Sequence, residues 1–445
     1  PGAQPGAQPG AQPGARPAAR PLERPSDPVE PTKPVERKRE AHHPGMYRPG
    51  GGLEVAPGTK GPSGVIPYLQ TTYGSVKVQT ILAVGLVVPL RGAGNGWQTY
   101  SEYDPLDLAA GQQNLAFQLF HSDIILHGHL LTKNLEYMFL ADLADLQHKA
   151  FIPEVELTYH LPWVKGLSIT VGRFRPAFSL IMPRLVSRLE TVYYPVFLSE
   201  GGYAPWRDLG VQIRYGIDIG KAGVLSAYFG VFNGEPDAWT DTNDMKDFLL
   251  RVDFRGKGSI KGLHAGVWAW LGFPSCEAGV TCIPEEAADK KFDTDLRVGL
   301  FAEFARRFGV VKPHVMLEGF IRKYTPRAGT GAEYLDTFGG GLWAHVAVLI
   351  GKYIEPLIRV EWMKTNHGTA PGDPTPLADT VLRLTAGANL YLHKIHSHLK
   401  LNYIFQRMGE GYTGMPQWLD VDISGAAPIP DRNNHMLVLQ AVTEF

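Results

Sequence analysis

The sequence predicts an all-β chain: a transmembrane antiparallel up-and-down β-barrel of about sixteen strands, preceded by a disordered, proline-rich N-terminal arm. Three observations carry this. The composition breaks near residue 62, hydrophobicity then keeps a period of two to the end of the chain, and short connections alternate with long ones.

The chain has 445 residues, with 43 Lys+Arg against 44 Asp+Glu. So even a balance gives no whole-chain field for nucleic acid, and no nucleic-acid partner is expected. Mean hydropathy is −0.12, and the longest apolar run, Ile81 to Leu90, is about half the ~20 residues a membrane helix needs. A helical membrane protein is thereby excluded. A barrel is not, because its strands alternate apolar and polar residues and hide in a bilayer at polar-looking hydropathy. Fifty glycines and 11% aromatics suit a β-rich chain with many turns.

Residues 1–62 form the arm, and residues 63–445 the barrel. The arm repeats Pro-Gly-Ala-Gln from Pro1 and runs on through Arg16, Pro17, Arg20 and Pro21 to the charged stretch 35–40. It buries too little apolar surface to offset its ordering entropy, so disorder with polyproline-II character is expected. Its expected place is the periplasm, as a tether or as a docking arm for a periplasmic partner or for peptidoglycan. A start at Pro1, without Met or an apolar leader, suggests that a leader has been removed or lies outside this sequence.

In the barrel region, Leu382, Leu384, Ala386, Ala388, Leu390 and Leu392 share one strand face, while Arg383, Thr385, Gly387, Asn389 and Tyr391 share the other. Successive strand side chains point to opposite faces, so this is an apolar band backed by a polar wall. The same pattern places strands near 76–89, 114–130, 133–144, 152–161, 167–178, 207–217, 222–234 and 246–255. The others fall near 263–273, 292–307, 310–325, 336–350, 353–366, 379–393, 397–410 and 433–445. An even count is what a single-chain bacterial barrel requires. Short links such as 132–133, 351–352 and 394–396 alternate with long ones at 90–113, 179–206, 274–291 and 411–432. Barrels keep short turns periplasmic and long loops outside, so the long connections are expected to be extracellular. One of them holds Cys276 and Cys282, read as a small loop disulfide formed in an oxidising compartment. The chain stops at Phe445 after an amphipathic strand, which resembles the terminal signature of bacterial outer-membrane barrels, although Thr443 departs from its usual bulky apolar residue.

Residues 114–234 resemble the phosphate-selective porin O/P family. The features that carry this are His127-Gly-His129, the runs 135–142 and 154–159, Val171-Gly-Arg-Phe-Arg-Pro-Ala-Phe178, a Leu/Arg/Glu-rich segment, and the runs 207–213 and 228–234. The resemblance implies a sixteen-stranded, commonly homotrimeric channel in the outer membrane, among lipid and lipopolysaccharide, passing small hydrophilic solutes or ions. It also implies that a long loop folds inward. Here that loop is residues 179–206, with Arg184, Arg188 and Glu190 as pore-constriction candidates. The bland alternative is a helical plug packed by Leu180, Ile181, Leu185, Val186 and Leu189, its charges solvated.

Strand parity makes Arg214, Arg251, Arg297, Arg322, Arg359, Arg383 and Lys400 pore-lining bases. The acids on the same face are Glu136, Asp142, Glu156, Asp208, Asp253, Asp295, Glu303, Glu318 and Glu361. Acids slightly outnumber bases, so an anion-selective ladder does not follow. Facing Arg and carboxylate pairs more often serve as wall salt bridges. Arg173 and Arg175 share parity with apolar Ile169 and Val171, which calls for a bulge or for snorkelling at the outer interface. His121, Asp123, His127 and His129 share one face and have metal-ligand chemistry, but lumenal histidines are ordinary wall residues. No metal and no cofactor is expected. Catalysis is not expected either: there is no Gly-x-Ser-x-Gly, and the glycine-rich run 255–262 lacks phosphate-loop spacing. The rival class is a barrel subunit of a larger envelope assembly for export or motility, recruited through residues 1–62.

Overall fold

The computed structural model describes residues 68–71, 74–90, 116–144, 153–199, 207–234, 245–273, 294–325, 337–365, 379–393, 397–408 and 432–444. The arm 1–62, Cys276, Cys282, Phe445 and residues 200–206 of the inward loop lie outside them.

Alternating β-branched and aromatic residues form seventeen strands among the described residues. They are β1 (Tyr68–Thr71), β2 (Gly74–Leu90), β3 (Ala116–Leu130), β4 (Leu135–Asp142), β5 (Glu154–His160) and β6 (Leu167–Phe174). Next come β7 (Asp208–Asp218), β8 (Gly223–Phe232), β9 (Asp247–Gly256), β10 (Leu263–Gly272), β11 (Thr294–Ala305) and β12 (Val311–Thr325). The last five are β13 (Thr337–Ile350), β14 (Ile354–Thr365), β15 (Asp379–His393), β16 (Ser397–Met408) and β17 (Arg432–Glu444). From β2 onward every strand pairs antiparallel with its sequence neighbours, and β17 pairs with β2 (Leu439 opposite Leu86) to close a ring of sixteen. Closure leaves no open edge, the condition for a sheet in lipid. The sixteen expected strands are all present, with ends moved by a few residues. The short β1 was not foreseen, since four residues are too few to show a period. It pairs with Gly74–Lys77 of β2, on the edge that β17 covers further along.

The wall is patterned inside out. On β12, Val315, Leu317 and Ile321 are exposed while His314, Met316, Glu318 and Phe320 are buried. On β14, Ile358, Val360 and Trp362 face out while Arg359, Glu361 and Met363 face in. The outward apolar band is bounded by exposed aromatics. Trp163, Phe308 and Tyr353 mark the short-turn end, and Phe117, Phe248, Phe338 and Trp362 the other. From Tyr353 to Trp362 is nine residues. At a rise of ~3.3 Å per residue and a tilt of ~40° these cover ~23 Å, close to the ~25 Å apolar band of an outer-membrane barrel.

Each short turn among the described residues carries a base and no acid. The bases are Lys133, Lys165, Lys221, Lys257, Lys261, Arg306, Arg307 and Lys352.

The reading of β6 needs correction. It was expected to run to residue 178 but ends at Phe174, because Gly172 adopts φ +128° and breaks the alternation. A Cβ there would lie 2.1 Å from the Val155 carbonyl oxygen, so only glycine fits this close strand approach. Past the break, Arg173 is 2% exposed and near the Asp208 carboxylate, and Arg175 turns inward to Glu154 at 2.6 Å. The phase shift holds, and snorkelling does not.

Candidate functional site: the lumen and the segment that crosses it

The connection after β6 enters the barrel. From Arg175 to Ser199 it contains no long helix, only a 3-10 turn at Val186–Arg188 and the single helical turn α1 (Val196–Ser199). The helical-plug alternative is therefore set aside for its helix. Its apolar packing is real, since Leu180, Ile181, Leu185 and Leu189 are all buried. The Arg184 carbonyl draws the segment back on itself, receiving Arg175 Nη1 at 2.7 Å and the Tyr194 hydroxyl at 2.8 Å.

The inner wall holds this segment by its backbone. Gln212 Oε1 on β7 accepts from Ala177 N at 2.9 Å, and Arg251 Nη1 on β9 donates to the Ser179 carbonyl at 2.6 Å. Glu318 on β12 accepts from the Ser179 hydroxyl at 3.0 Å and from Leu180 N at 3.1 Å. The same carboxylate accepts from the Trp268 and Trp343 indoles at 2.9 and 3.2 Å. Arg359 on β14 donates to the carbonyls of Tyr193 (2.9 Å) and Tyr194 (3.2 Å), while Glu361 accepts from Val196 N at 2.5 Å. Asn389 on β15 donates to the Glu190 carbonyl at 2.9 Å. On β16, Asn402 Oδ1 accepts from Val192 N at 2.8 Å and Lys400 Nζ donates to the Thr191 carbonyl at 3.4 Å. A coil has no internal ladder, so its buried backbone groups need side-chain partners, and strand parity supplies them.

Apolar contacts show how far the segment reaches. Phe178 packs on Trp268 and Trp270, Phe197 on Phe320, and Val192 joins Phe120, Ile404 and Val438. Leu185 instead clusters with Ile81, Ile125, Met138 and Leu140 on β2–β4. Its neighbour Arg184 reaches Glu303 on β11 at 2.7 Å and Met316 on β12 at 3.4 Å. Strands β3 and β11 are eight apart in a ring of sixteen, so consecutive residues touch opposite walls. The segment bridges the lumen.

The three constriction candidates all sit on this bridge, paired to the wall. Arg184 pairs with Glu303, Arg188 with Glu444 of β17, and Glu190 with His314 at 2.7 Å. Burial alone would raise the Glu190 carboxyl, but the His314 ring, with His345 and Arg184 behind it, holds it well below its ordinary 4.5. A depressed carboxyl stabilises the fold fully above its unfolded value and loses that contribution as pH falls through the folded one. Glu190→Gln should therefore cost about 1–3 kcal/mol at pH 7, and the gap to wild type should close in strong acid. Thermal melts at both pH values read this directly.

The remaining lining candidates divide by place. Arg297 and Arg322 both pair with Asp295 (2.6 and 2.8 Å), Arg251 with Asp253 (2.9 Å) and Arg359 with Glu361 (2.6 Å), while Arg383 donates to Gln406 at 2.7 Å. On β9–β16, Arg251, Asp253, Asp295, Glu318, Arg359, Glu361, Arg383 and Lys400 are all buried. On β4–β7 the inward Glu136, Glu156, Thr158, His160, Thr170, Gln212 and Arg214 keep partial contact with water, while Met138, Leu140 and Ser168 on the same faces and Val224, Ser226, Tyr228 and Phe232 on β8 are buried. The sequence reading passed over the lumenal indoles Trp268, Trp270 and Trp343, and placed Asn389 on the polar face without giving it, Gln212 or Asn402 an anchoring role. They lie on the inward parity of their strands, which was the available signal.

A closed sixteen-stranded barrel with an inward connection held against its wall is the architecture of the outer-membrane porins. Solved structures agree at the level of fold. The chain is similar to an anion-selective porin from Comamonas acidovorans (14% identity, 84% of this chain and 100% of that one, TM-score 0.53). It is also similar to the outer membrane channel DcaP of Acinetobacter baumannii (11%, 84% and 99%, TM-score 0.54). A third is OmpT, an outer membrane protein of Vibrio cholerae in trimer form (9%, 84% and 100%, TM-score 0.50). No family model and no curated protein matches the sequence.

Proposed function

We propose that this chain is an outer-membrane, porin-like channel for the passive diffusion of small hydrophilic solutes or ions, with its passage off-centre along the inner face of β4–β7. One observation carries the reading: most anchors of the bridging segment lie on β9–β17, while the inward Glu136, Glu156, Thr158, His160, Thr170, Gln212 and Arg214 of β4–β7 still meet water. The apolar outer band and the porin folds it resembles support placement in lipid, with lipopolysaccharide at the long-loop end and a homotrimer as the working assembly. They favour a diffusion channel over a subunit of an export or motility machine. The arm 1–62 remains a periplasmic tether in this reading.

In this proposal Arg184, Arg188 and Glu190 set the constriction by fixing where the bridge lies. Along this passage the charged side chains in contact with water are Glu136, Glu156 and Arg214, two carboxyl groups against one guanidinium. The finer family resemblance names phosphate as a candidate solute, yet this wall offers one guanidinium to hold it. Charged groups at a narrowing select ions by sign because the low-dielectric wall focuses their field. Refolded protein in a planar bilayer should give stable conductance steps and, under a salt gradient, a weak preference for cations. Arg214→Glu should strengthen that preference, whereas Arg383→Gln, on the buried side, should leave it unchanged. A strong anion preference would restore the phosphate-selective reading, and silence from a correctly folded barrel would remove the channel.

A further inference from the structure

Where β3 meets β2, Ala83 pairs with His121 and Val84 with Leu119, so Phe120 is an extra residue in a bulge. Bulges re-aim side chains, and this one brings both Phe120 and His121 to the buried face that also carries Asp123. Directly opposite Asp123 in the β3–β4 register stands Asp142. Donor atoms of His121, Asp123 and Asp142 all lie within 4.8 Å of one another, and the three residues are 9%, 7% and 4% exposed.

Two carboxylates facing each other out of water stay charged only with a positive partner; otherwise they share a proton. Among the described residues neither aspartate makes an ion pair, and the hydrogen bond to Asp142 comes from the Ala144 backbone at 2.9 Å. The nearest guanidiniums, Arg175 and Arg207, are both engaged by Glu154, at 2.6 and 2.9 Å.

We propose that His121, Asp123 and Asp142 form a binding site for one divalent transition-metal ion of the zinc class, at the long-connection end of the lumen. One imidazole and two carboxylates make a mixed nitrogen–oxygen donor set suited to zinc. Calcium and magnesium instead call for six or more oxygen ligands, waters included. Zinc–ligand bonds of ~2.0–2.2 Å ask the three side chains to draw together by about 1 Å, within the reach of small rotations about their side-chain bonds. Three protein ligands leave a fourth position for water.

The test is zinc titration of the full, tag-free chain refolded in detergent, by calorimetry and by equilibrium dialysis with elemental analysis. The arm contributes His42 and His43, so the readout is the difference between wild type and variants. One zinc per chain should bind in a way that Asp142→Asn and Asp123→Asn each weaken at least tenfold. His127→Ala with His129→Ala, further along the same strand, should change nothing. X-ray absorption of the loaded protein should show a single imidazole among oxygen ligands. Should an aspartate variant fail to fold, His121→Asn keeps both carboxylates and carries the same tenfold expectation. Absence of zinc binding, or equal binding by wild type and folded variants, overturns the site and leaves the aspartates sharing a proton. Neither readout uses conductance, so the outcome is independent of the channel reading.

Discussion

Replacing residues 177–198 by a short Gly-Ser linker should raise single-channel conductance several-fold while the barrel still closes. The backbone ladder of sixteen strands runs through β17 and β2 without any help from the connection after β6. What the segment contributes is filling: Phe178, Leu180, Ile181, Leu189, Phe197 and Leu198 sit in one buried cluster with Trp268, Trp270, Phe320 and Trp343. Each large apolar side chain so buried stabilises by ~1.5–3 kcal/mol, and its removal uncovers indoles to lumenal water. The deleted protein should therefore melt lower and conduct more. Planar-bilayer recordings alongside detergent melts separate the two effects. Unchanged conductance in a folded deletion would mean that the segment does not limit flow.

Glu318→Ala should be the most damaging single substitution in the lumen. The Glu318 carboxylate is 0% exposed and accepts from the Ser179 hydroxyl, the Leu180 amide and the indoles of Trp268 and Trp343. Removing it leaves four donors without an acceptor, and a buried donor left unsatisfied costs ~1–3 kcal/mol. Partial relaxation and water entry reduce the sum, so on the order of 4–6 kcal/mol is expected. Glu318→Gln keeps one carbonyl oxygen but turns an amide toward two donors, and should recover about half. Both variants should add open-state noise to the current, because the Ser179–Leu180 anchor of the bridge is lost. A quiet, wild-type-like channel from Glu318→Ala would show that Arg251 and Gln212 hold this end without it.

Much of the wall was legible in the sequence, because a two-sided strand writes its environment residue by residue. Leu382 and Leu384 against Arg383 and Thr385 is such a record, and the observed ring follows it strand by strand. Where one residue breaks the period, legibility fails locally. At Gly172, at the Phe120 bulge and in the short β1, parity alone misplaces a side chain or misses a strand. The lumen was harder to read for a different reason. Parity says that Arg251, Glu318, Arg359 and Lys400 point inward, but inward means solvent on one side of this barrel and a buried coil on the other. The difference arises because residues 175–199 lean on β9–β17, and the bonds that fix them there join positions more than 70 residues apart, such as Arg251 with Ser179 and Asn402 with Val192. No local pattern encodes a pairing of that kind. Asp142 illustrates the same point: its relation to Asp123 exists only once β3 and β4 are in register.

The eight bases on the described short turns give one mouth of the barrel a collar of fixed positive charge, relieved at a single point where Lys257 meets Asp218 at 2.8 Å. At ~0.1 M salt such a collar is felt over ~10 Å and at 1 M over ~3 Å. A cation entering from this end meets repulsion before it reaches the bridge, whereas one entering from the opposite end meets it only on leaving. The described turns thus make this mouth a ring of positive charge, and its effect on the current should fade as salt is added.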